Sequence, residues 1–266
     1  MKILITGAKG NLGTSLASAG RGHEFIKVDR EEFGRIEELL EGAEAVVHAA
    51  SDLTTPVGEH PRTVLESNLM STVRLLEALG ERPGVPLFFI SSCAVYGRSQ
   101  ITSEETVPAP ISINGVTKLL NEQVIMEFAA RRRLDYWILR PFNLYGGRDH
   151  FSILARLQRA AQEGGDFAMN NGGVSQRDFI HVDDAARALL RVVEKRPEHR
   201  IINIGSGRAV RIADIVGEFV KKHPGLKVAS SQRDEAEYSR GDIRRLKEIM
   251  PDFAARDVLD FIRESL

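Results

Sequence analysis

Three observations predict an α/β fold, a doubly wound parallel sheet with helices on both faces. Short β-rich apolar runs alternate with helical patterns as far as Arg140. A turn with glycines at positions 7, 10 and 13 separates the first strand from the first helix. An acidic residue, Asp29, closes the second strand.

The elements follow in order. Lys2–Thr6 is an apolar run too short for a helix and reads as a strand, and the pattern from Asn11 to Gly20 is helical. Glu24–Asp29 is a strand, Arg35–Leu40 is helical, and Ala43–Ala50 is again a strand. Arg62–Leu79 has strong helical periodicity, Pro86–Ser92 is a strand, and Gly115–Arg133 is a long helix. Leu134–Arg140 forms a strand stopped at Pro141. After Asn143 the pattern is less regular. Phe151–Glu163, Val182–Glu194, Ile212–Lys222 and Asp257–Ser265 read as helices, and Arg200–Ile204 reads as a strand. No repeat or long linker divides the chain. We therefore expect a first domain over residues 1–145 and a smaller substrate-binding lobe over 146–266, interleaved with it.

The 266 residues suit one large α/β unit or a main domain with a small lobe. With 36 basic and 37 acidic residues the net charge is -1, which gives no polyanion-binding surface and no reason to expect nucleic acid as a partner. A single cysteine, Cys93, excludes an internal disulfide and fits a reducing compartment. No apolar run is long enough to span a bilayer. The opening MKILITGAKG is a strand entering a loop rather than a signal peptide. The expected location is the cytoplasm, with no membrane partner.

The stretch T6-G-A-K-G-N-L-G13 has the chemistry of a dinucleotide-binding turn. Gly7 permits the tight turn, Gly10 lets backbone approach a pyrophosphate, and Gly13 lets helix and strand pack closely. The helix start at Asn11 and Leu12 offers unpaired N–H groups and a positive dipole end. Asp29 lies 22 residues after Gly7, where a carboxylate accepts both ribose hydroxyls of NAD and repels a 2′-phosphate. Arg30 follows and softens that repulsion, which leaves NADP open beside NAD. This is the Rossmann type of doubly wound sheet.

Further motifs appear in a fixed order: H48-A-A-S51, Asn68, S91-S-C-A-V-Y-G97, Lys118, R140-P-F-N-L-Y-G146, R177-D-F-I-H-V-D-D184 and N203-I-G-S-G207. With the glycine turn, these resemble the extended short-chain dehydrogenase/reductase family, the NAD-dependent epimerase/dehydratase group acting on nucleotide sugars. The resemblance runs over nearly the whole chain. It implies cofactor contacts from Gly7, Gly10, Asn11, Leu12, Gly13, Asp29, Arg30, Ala49, Ala50, Ser51, Asn68, Lys118 and Pro141. The loop after Asp29 is shorter than usual, and no clear segment remains there to hold the adenine.

The family's redox step moves a hydride to or from nicotinamide and a proton to or from a sugar hydroxyl. By resemblance Ser92 donates to that oxygen, and Lys118 binds the nicotinamide ribose and lowers the pKa of a tyrosine four residues before it. That position is Asn114, in the stretch S112-I-N-G-V-T-K118. An amide donates and accepts hydrogen bonds but does not titrate. The other tyrosines, 96, 136, 145 and 238, lie away from the Lys118 helix. Three readings remain open. Water held by Asn114 and Ser92 relays the proton; or Cys93, Glu104 or His48 serves as the acid/base; or the protein binds NAD without turnover, as a catalytically silent regulatory protein.

The family's 4,6-dehydratases carry Asp-Glu after the hydroxyl residue, where this chain has Cys93 and Ala94, so that reaction is disfavoured. The resemblance places Asn143, Arg177 and Arg233 against a nucleotide-sugar diphosphate, with Arg240 in reserve for Arg233. His181 with Asp183 and Asp184 begins a helix, where Asp serves as a cap, and no metal is expected. The leading expectation is an NAD-dependent reductase or epimerase of a nucleotide-linked keto-sugar. A rival is a reductase of some other carbonyl compound. The apolar stripes of Arg62–Leu79 and Gly115–Arg133 are compatible with the family's four-helix homodimer and equally with packing on the sheet.

Overall fold

The computed structural model describes residues 1–52, 60–232 and 236–265. The first half holds β1 (Lys2–Thr6), α1 (Asn11–Ala19), β2 (Glu24–Val28), α2 (Ile36–Leu39), β3 (Ala45–His48), α3 (Pro61–Leu65), α4 (Ser71–Gly80), β4 (Leu87–Ile90), β5 (Ile101–Thr102), α5 (Ile113–Arg132), β6 (Tyr136–Pro141) and β7 (Asn143–Tyr145). The second holds α6 (Ile153–Glu163), β8 (Asp166–Asn170), β9 (Gln176–His181), α7 (Val182–Lys195), β10 (Ile201–Ile204), β11 (Ala209–Arg211), α8 (Ile212–Lys222), β12 (Lys227–Ser231), β13 (Tyr238–Gly241), α9 (Arg244–Ile249) and α10 (Val258–Ser265).

The main sheet has six strands in the order β10-β6-β4-β3-β1-β2, and every pair in it is parallel. This is the expected α/β doubly wound sheet. The chain starts at β1, steps to β2, then crosses to β3 and runs the other way. The reversal falls between β1 and β3, and ligands of such sheets bind at the carboxyl ends of the strands at that switch. One face packs on α1 and α7 through Leu12, Leu16, Ala185 and Leu189. The other packs on α2, α4 and α5 through Ile36, Leu75, Leu79 and Ile125.

A second sheet runs β11-β9-β13-β5, with β7 also paired to β9, and β8 pairs with β12. The two halves exchange strands: β10 completes the main sheet, while β5 and β7 join the second. A separate apolar cluster of Leu157, Phe179, Phe219 and Ile262 lies beneath that second sheet.

The expected single helix over 62–79 is interrupted by a π-turn at Glu66–Met70 that joins α3 to α4. A π-turn releases a carbonyl from the i→i+4 ladder. Here Asn121 Nδ2 donates to Asn68 O at 2.9 Å, linking that turn to α5.

The buried face of α5 is polar as well as apolar, since Lys118, Asn121 and Glu122 share it with Ile125 and Ala129. Arg140 on β6 donates to Glu122 through Nε at 2.9 Å and Nη2 at 2.5 Å, and Ser91 Oγ donates to the same carboxylate. Both ionic side chains are buried, and the guanidinium lies 4.8 Å from the centre of the Tyr96 ring. Removing one partner strands a charge in the interior. We expect Glu122→Leu to lose about 3–5 kcal/mol of stability, and Arg140→Met added to it to recover most of that loss. Urea midpoints of the two variants measure both effects.

Candidate active site

The carboxyl ends of β1 and β3 meet because glycine leaves room. Gly7 has φ +71°, and a Cβ there would come 2.8 Å from the backbone of Ala50. A Cβ on Gly13 would fall 2.4 Å from Gly7 O. The turn and α1 are thus pressed against the Ala49-Ala50-Ser51 segment. Gly10 is the N-cap residue of α1, no side chain caps the helix, and its first turn has no acidic residue. Its N-terminal N–H groups remain for an anion. Ser51 Oγ nearby is buried with no hydrogen-bond partner, a polar atom that a ligand in the cleft can satisfy.

Asp29 sits just beyond β2, with Oδ1 accepting from Lys9 N–H at 2.9 Å and Oδ2 3.4 Å from Lys9 Nζ. Arg30 is directed to Asp52, with Nη2 3.4 Å from Oδ2. The turn, the uncapped helix start, the unpartnered hydroxyl and Asp29 together fit an NAD dinucleotide. The side chain of Asn11 does other work. Its amide donates to Gly146 O at 2.9 Å and accepts from Arg148 N–H at 2.7 Å, which ties the glycine turn to the loop after β7.

A cleft of about 820 Å³ runs from this corner across the sheet ends. Gly10, Asn11, Leu12, Arg30, Ala49 and Ser51 line it at one end, Ser92, Asn114, Lys118 and Pro141 in the middle, and Asn143 and Arg177 at the other. Asp29 borders an adjoining groove with Lys9 and Arg148. Gly7, Gly13, Ala50 and Asn68 stand behind the lining. The Asn68 side chain accepts from Asp52 N–H and donates to Asp52 O, so it holds the strand exit after β3 in place. Arg233 lies outside the described residues.

Ser92 caps the short turn Cys93–Tyr96, its Oγ accepting from Ala94 N–H at 3.1 Å. Its hydroxyl also hydrogen-bonds to the neighbouring Cys93 thiol. Ser112 caps α5 by accepting from Gly115 N–H at 3.2 Å, which fixes Asn114 in the first turn of that helix. Gly115 lets α5 approach the Ser92 turn, because a Cβ there would lie 2.4 Å from Ala94 O. Lys118, one turn on, reaches across to donate to Ile90 O at 2.8 Å, with Nζ 5.0 Å from the centre of the Phe89 ring. Burial pushes its pKa down to about 8, against a smaller opposing pull from Glu122.

None of the three alternative acid/bases fits. His48 is fully buried, its Nδ1 2.6 Å from Thr6 Oγ1 and its Nε2 3.0 Å from Thr72 Oγ1; burial, then the Lys118 charge, drive its pKa to about 3. Glu104 accepts from Asn203 N–H at 2.8 Å and faces Arg245, away from the cleft. Cys93 does line the cleft, but burial and then Asp178 push its thiol up to about 12. None of the four tyrosines lines the cleft.

At the far end of the cleft, Asn143 Nδ2 donates to Asp178 O at 2.7 Å. Arg177 donates to the carbonyls of Gln176 and Ala236. Asp178 is fully buried and accepts from Ser206 N–H, Ser206 Oγ, Gly207 N–H and Gly241 N–H, pinning the N203-I-G-S-G207 loop. The sequence carries no signal for its structural role; for Glu122 the one available signal is its spacing from Lys118, one helical turn apart. His181, rather than an aspartate, caps α7 by accepting from Asp183 N–H. Asp184 is held by Arg187 and Arg256.

A model of the NAD dependent epimerase/dehydratase family matches residues 3–205. ADP-L-glycero-D-manno-heptose-6-epimerase of Pseudomonas paraeruginosa is 30% identical over 247 residues, covering 79% of this chain and 74% of that one. UDP-glucose 4-epimerase of Corynebacterium glutamicum is 28% identical over 258 residues, covering 81% and 78%. The structure of MoeE5 in complex with UDP-glucuronic acid and NAD superposes with a TM-score of 0.87 at 28% identity, covering 100% of both chains.

The depressed pKa of Lys118 has a consequence for stability. Folded, it loses its proton near pH 8; unfolded, near 10.5. Between those values the unfolded chain binds more protons, so stability rises with pH across that window, and below pH 8 the folded state bears the full desolvation cost. Lys118→Met is expected to gain stability relative to wild type at pH 7, by about 1–3 kcal/mol, and the gap should narrow towards pH 10. Urea unfolding at the two pH values measures it.

Proposed function

The chain belongs to the NAD dependent epimerase/dehydratase family, and from that premise we propose that it oxidises or reduces one ring carbon of a nucleotide-linked sugar, as a keto-sugar reductase or an epimerase. The observation that carries this reading is the single cleft that joins the glycine turn, Ser92, Asn114 and Lys118, and Asn143 with Arg177. NAD, when bound, supplies the acceptor and donor of two electrons. The N–H groups at the start of α1 receive its pyrophosphate, Asp29 its adenine-side ribose, and Lys118 its nicotinamide ribose. The Asp29 carboxylate favours NAD over NADP. Ser92 donates its hydroxyl hydrogen to the reacting sugar oxygen. Arg177 binds the diphosphate. UDP-glucuronic acid in a structural relative supports a nucleoside diphosphate sugar as the substrate class.

A second reading, an NAD-binding protein without turnover, is favoured by one observation: the cleft contains no tyrosine. Calorimetry and turnover separate the two. Wild type is expected to bind NADH and UDP-glucuronic acid, and to convert a UDP-sugar in the presence of NAD. Tight NADH binding with no conversion of any sugar nucleotide offered decides for the silent protein. Arg177→Ala is expected to weaken UDP-glucuronic acid binding by about 10- to 100-fold, the worth of one charge-assisted contact; no nucleotide binding in wild type would point to a carbonyl substrate without a nucleotide.

The division into an NAD-binding part over 1–145 and a substrate lobe over 146–266 follows the same reading. So does a cytoplasmic location, on the single cysteine. Leu65 and Met70 on the α3–α4 segment and Ile113, Val116 and Leu120 on α5 are exposed. An apolar surface spread over two neighbouring helices suits a second copy of the chain. Leu120→Glu is expected to convert a dimer to a monomer in analytical ultracentrifugation; a wild-type monomer at all concentrations would remove the homodimer.

A further inference from the structure

Removal of the tyrosine leaves a proton-transfer problem inside the cleft, and few groups there can take the proton. Asn114 does not titrate. The Cys93 thiol stays protonated at neutral pH. Asp149 accepts from Phe151 N–H and Ser152 N–H as the cap of its own loop, and Asp52 is turned to Arg30. Lys118 remains. It is held by one hydrogen bond to Ile90 O, two residues before Ser92 on the same strand end. A protonated amine has three donors, so hydrogens remain for the cleft. It has no ion-pair partner among the described residues.

The charged and titratable groups packed against Lys118 explain that isolation. Glu122, one turn along the same helix, is taken by Arg140 from β6 and Ser91 from the end of β4. His48 from β3 is neutral, locked between two threonine hydroxyls. Cys93 from the turn after β4 is a neutral thiol. Asn114 lies four residues before Lys118 and so on the same helix face, and no described residue hydrogen-bonds its side-chain amide.

Resting on the nucleotide-sugar reading, we propose that Lys118 is itself the acid/base of the reaction, reached through one water held by the Asn114 amide. In the oxidative direction the carbinol C–H bond breaks and its hydrogen leaves with both electrons to the nicotinamide ring. The O–H proton passes through the water to the unprotonated Lys118 amine, and the carbon–oxygen double bond forms. In the reductive direction the ammonium returns the proton to the carbonyl oxygen as the electron pair comes back. Ser92 donates to that oxygen throughout. A lysine near pH 8 is matched to this work, because both of its protonation states are populated at neutral to mildly basic pH.

The test pairs a spectroscopic and a kinetic reading on the full-length chain. Lysines carrying 13C at Cε are titrated by NMR without ligand, and the Lys118 resonance is identified by its loss in Lys118→Arg. Oxidation is then followed across pH with UDP-glucuronic acid and UDP-glucose as probes and NAD present, while NADH calorimetry reports independently on the cofactor site. The expected result is an NMR midpoint near 8 and an oxidative kcat/KM that rises with pH through the same midpoint. Lys118→Met should bind NADH more weakly, having lost its ribose contact, and at saturating NAD lose about 100-fold or more in kcat, with partial rescue by added methylamine. Asn114→Tyr should uncouple the pH profile from the lysine midpoint. An NMR midpoint at the ordinary lysine value overturns the proposal, as does wild-type turnover by Lys118→Met. Loss of NADH binding by the wild type is a different failure, that of the nucleotide-sugar reading itself.

Discussion

Glu122 and Arg140 meet inside the protein as an ion pair, and the position of the cleft depends on that contact. The pair joins the middle of α5 to β6, and Ser91 brings the end of β4 into the same network. A buried carboxylate one turn beyond Lys118 would otherwise be that lysine's partner. Because Arg140 claims it, Lys118 points at Ile90 O and stays poor in charge compensation. A helix face that carries Lys, Asn and Glu is costly to bury. Here that cost maintains a set of polar groups at the sheet ends, held by a carboxylate, a guanidinium and a carbonyl rather than by loops.

At the other end of the cleft, the controlling constraint is space. Gly7 and Gly13 bring the backbones of β1, α1 and the segment after β3 within contact, which leaves the start of α1 uncapped and open. Asn11 then connects this corner to the loop at Gly146 and Arg148, so the glycine turn and the loop after β7 are tied directly together. The exchange of β5, β7 and β10 between the two sheets has the same effect at larger scale.

Much of this was legible in the sequence where the physical signal is local. The strands β1, β3, β4 and β6 of the main sheet are short apolar runs buried on both faces, β2 is a half-exposed edge strand, and all six strands are legible in the sequence. The glycine turn and Asp29 were legible because strand, turn and helix follow one another directly. The strands of the smaller sheets were not. β12 is almost wholly exposed and lacks alternation, while β5 and β11 have two or three residues each and depend on partners distant in the chain. The π-turn was hidden because it preserves helical periodicity on either side. In the site, motif order reached Gly10, Ser92, Lys118 and Arg177 but not the wall of Ile153, Arg156, Phe167 and Met169, which no motif marks, and the work of each residue was not readable. Asp178, Glu122 and the side chain of Asn11 turned out to hold backbone and charge. His48, Cys93 and Glu104 are titratable by type, but burial and partners remove them from proton transfer.

A dinucleotide and a sugar nucleotide are expected to share this cleft, with the reacting carbon between Ser92 and the Asn114–Lys118 turn of α5. A crystal structure with NAD and UDP-glucuronic acid tests it most directly. The account predicts pyrophosphate on the first N–H groups of α1, a ribose at Asp29, the diphosphate near Arg177, and an ordered water between Asn114 and Lys118. A dinucleotide seated elsewhere, or a sugar ring out of reach of Ser92, would contradict it.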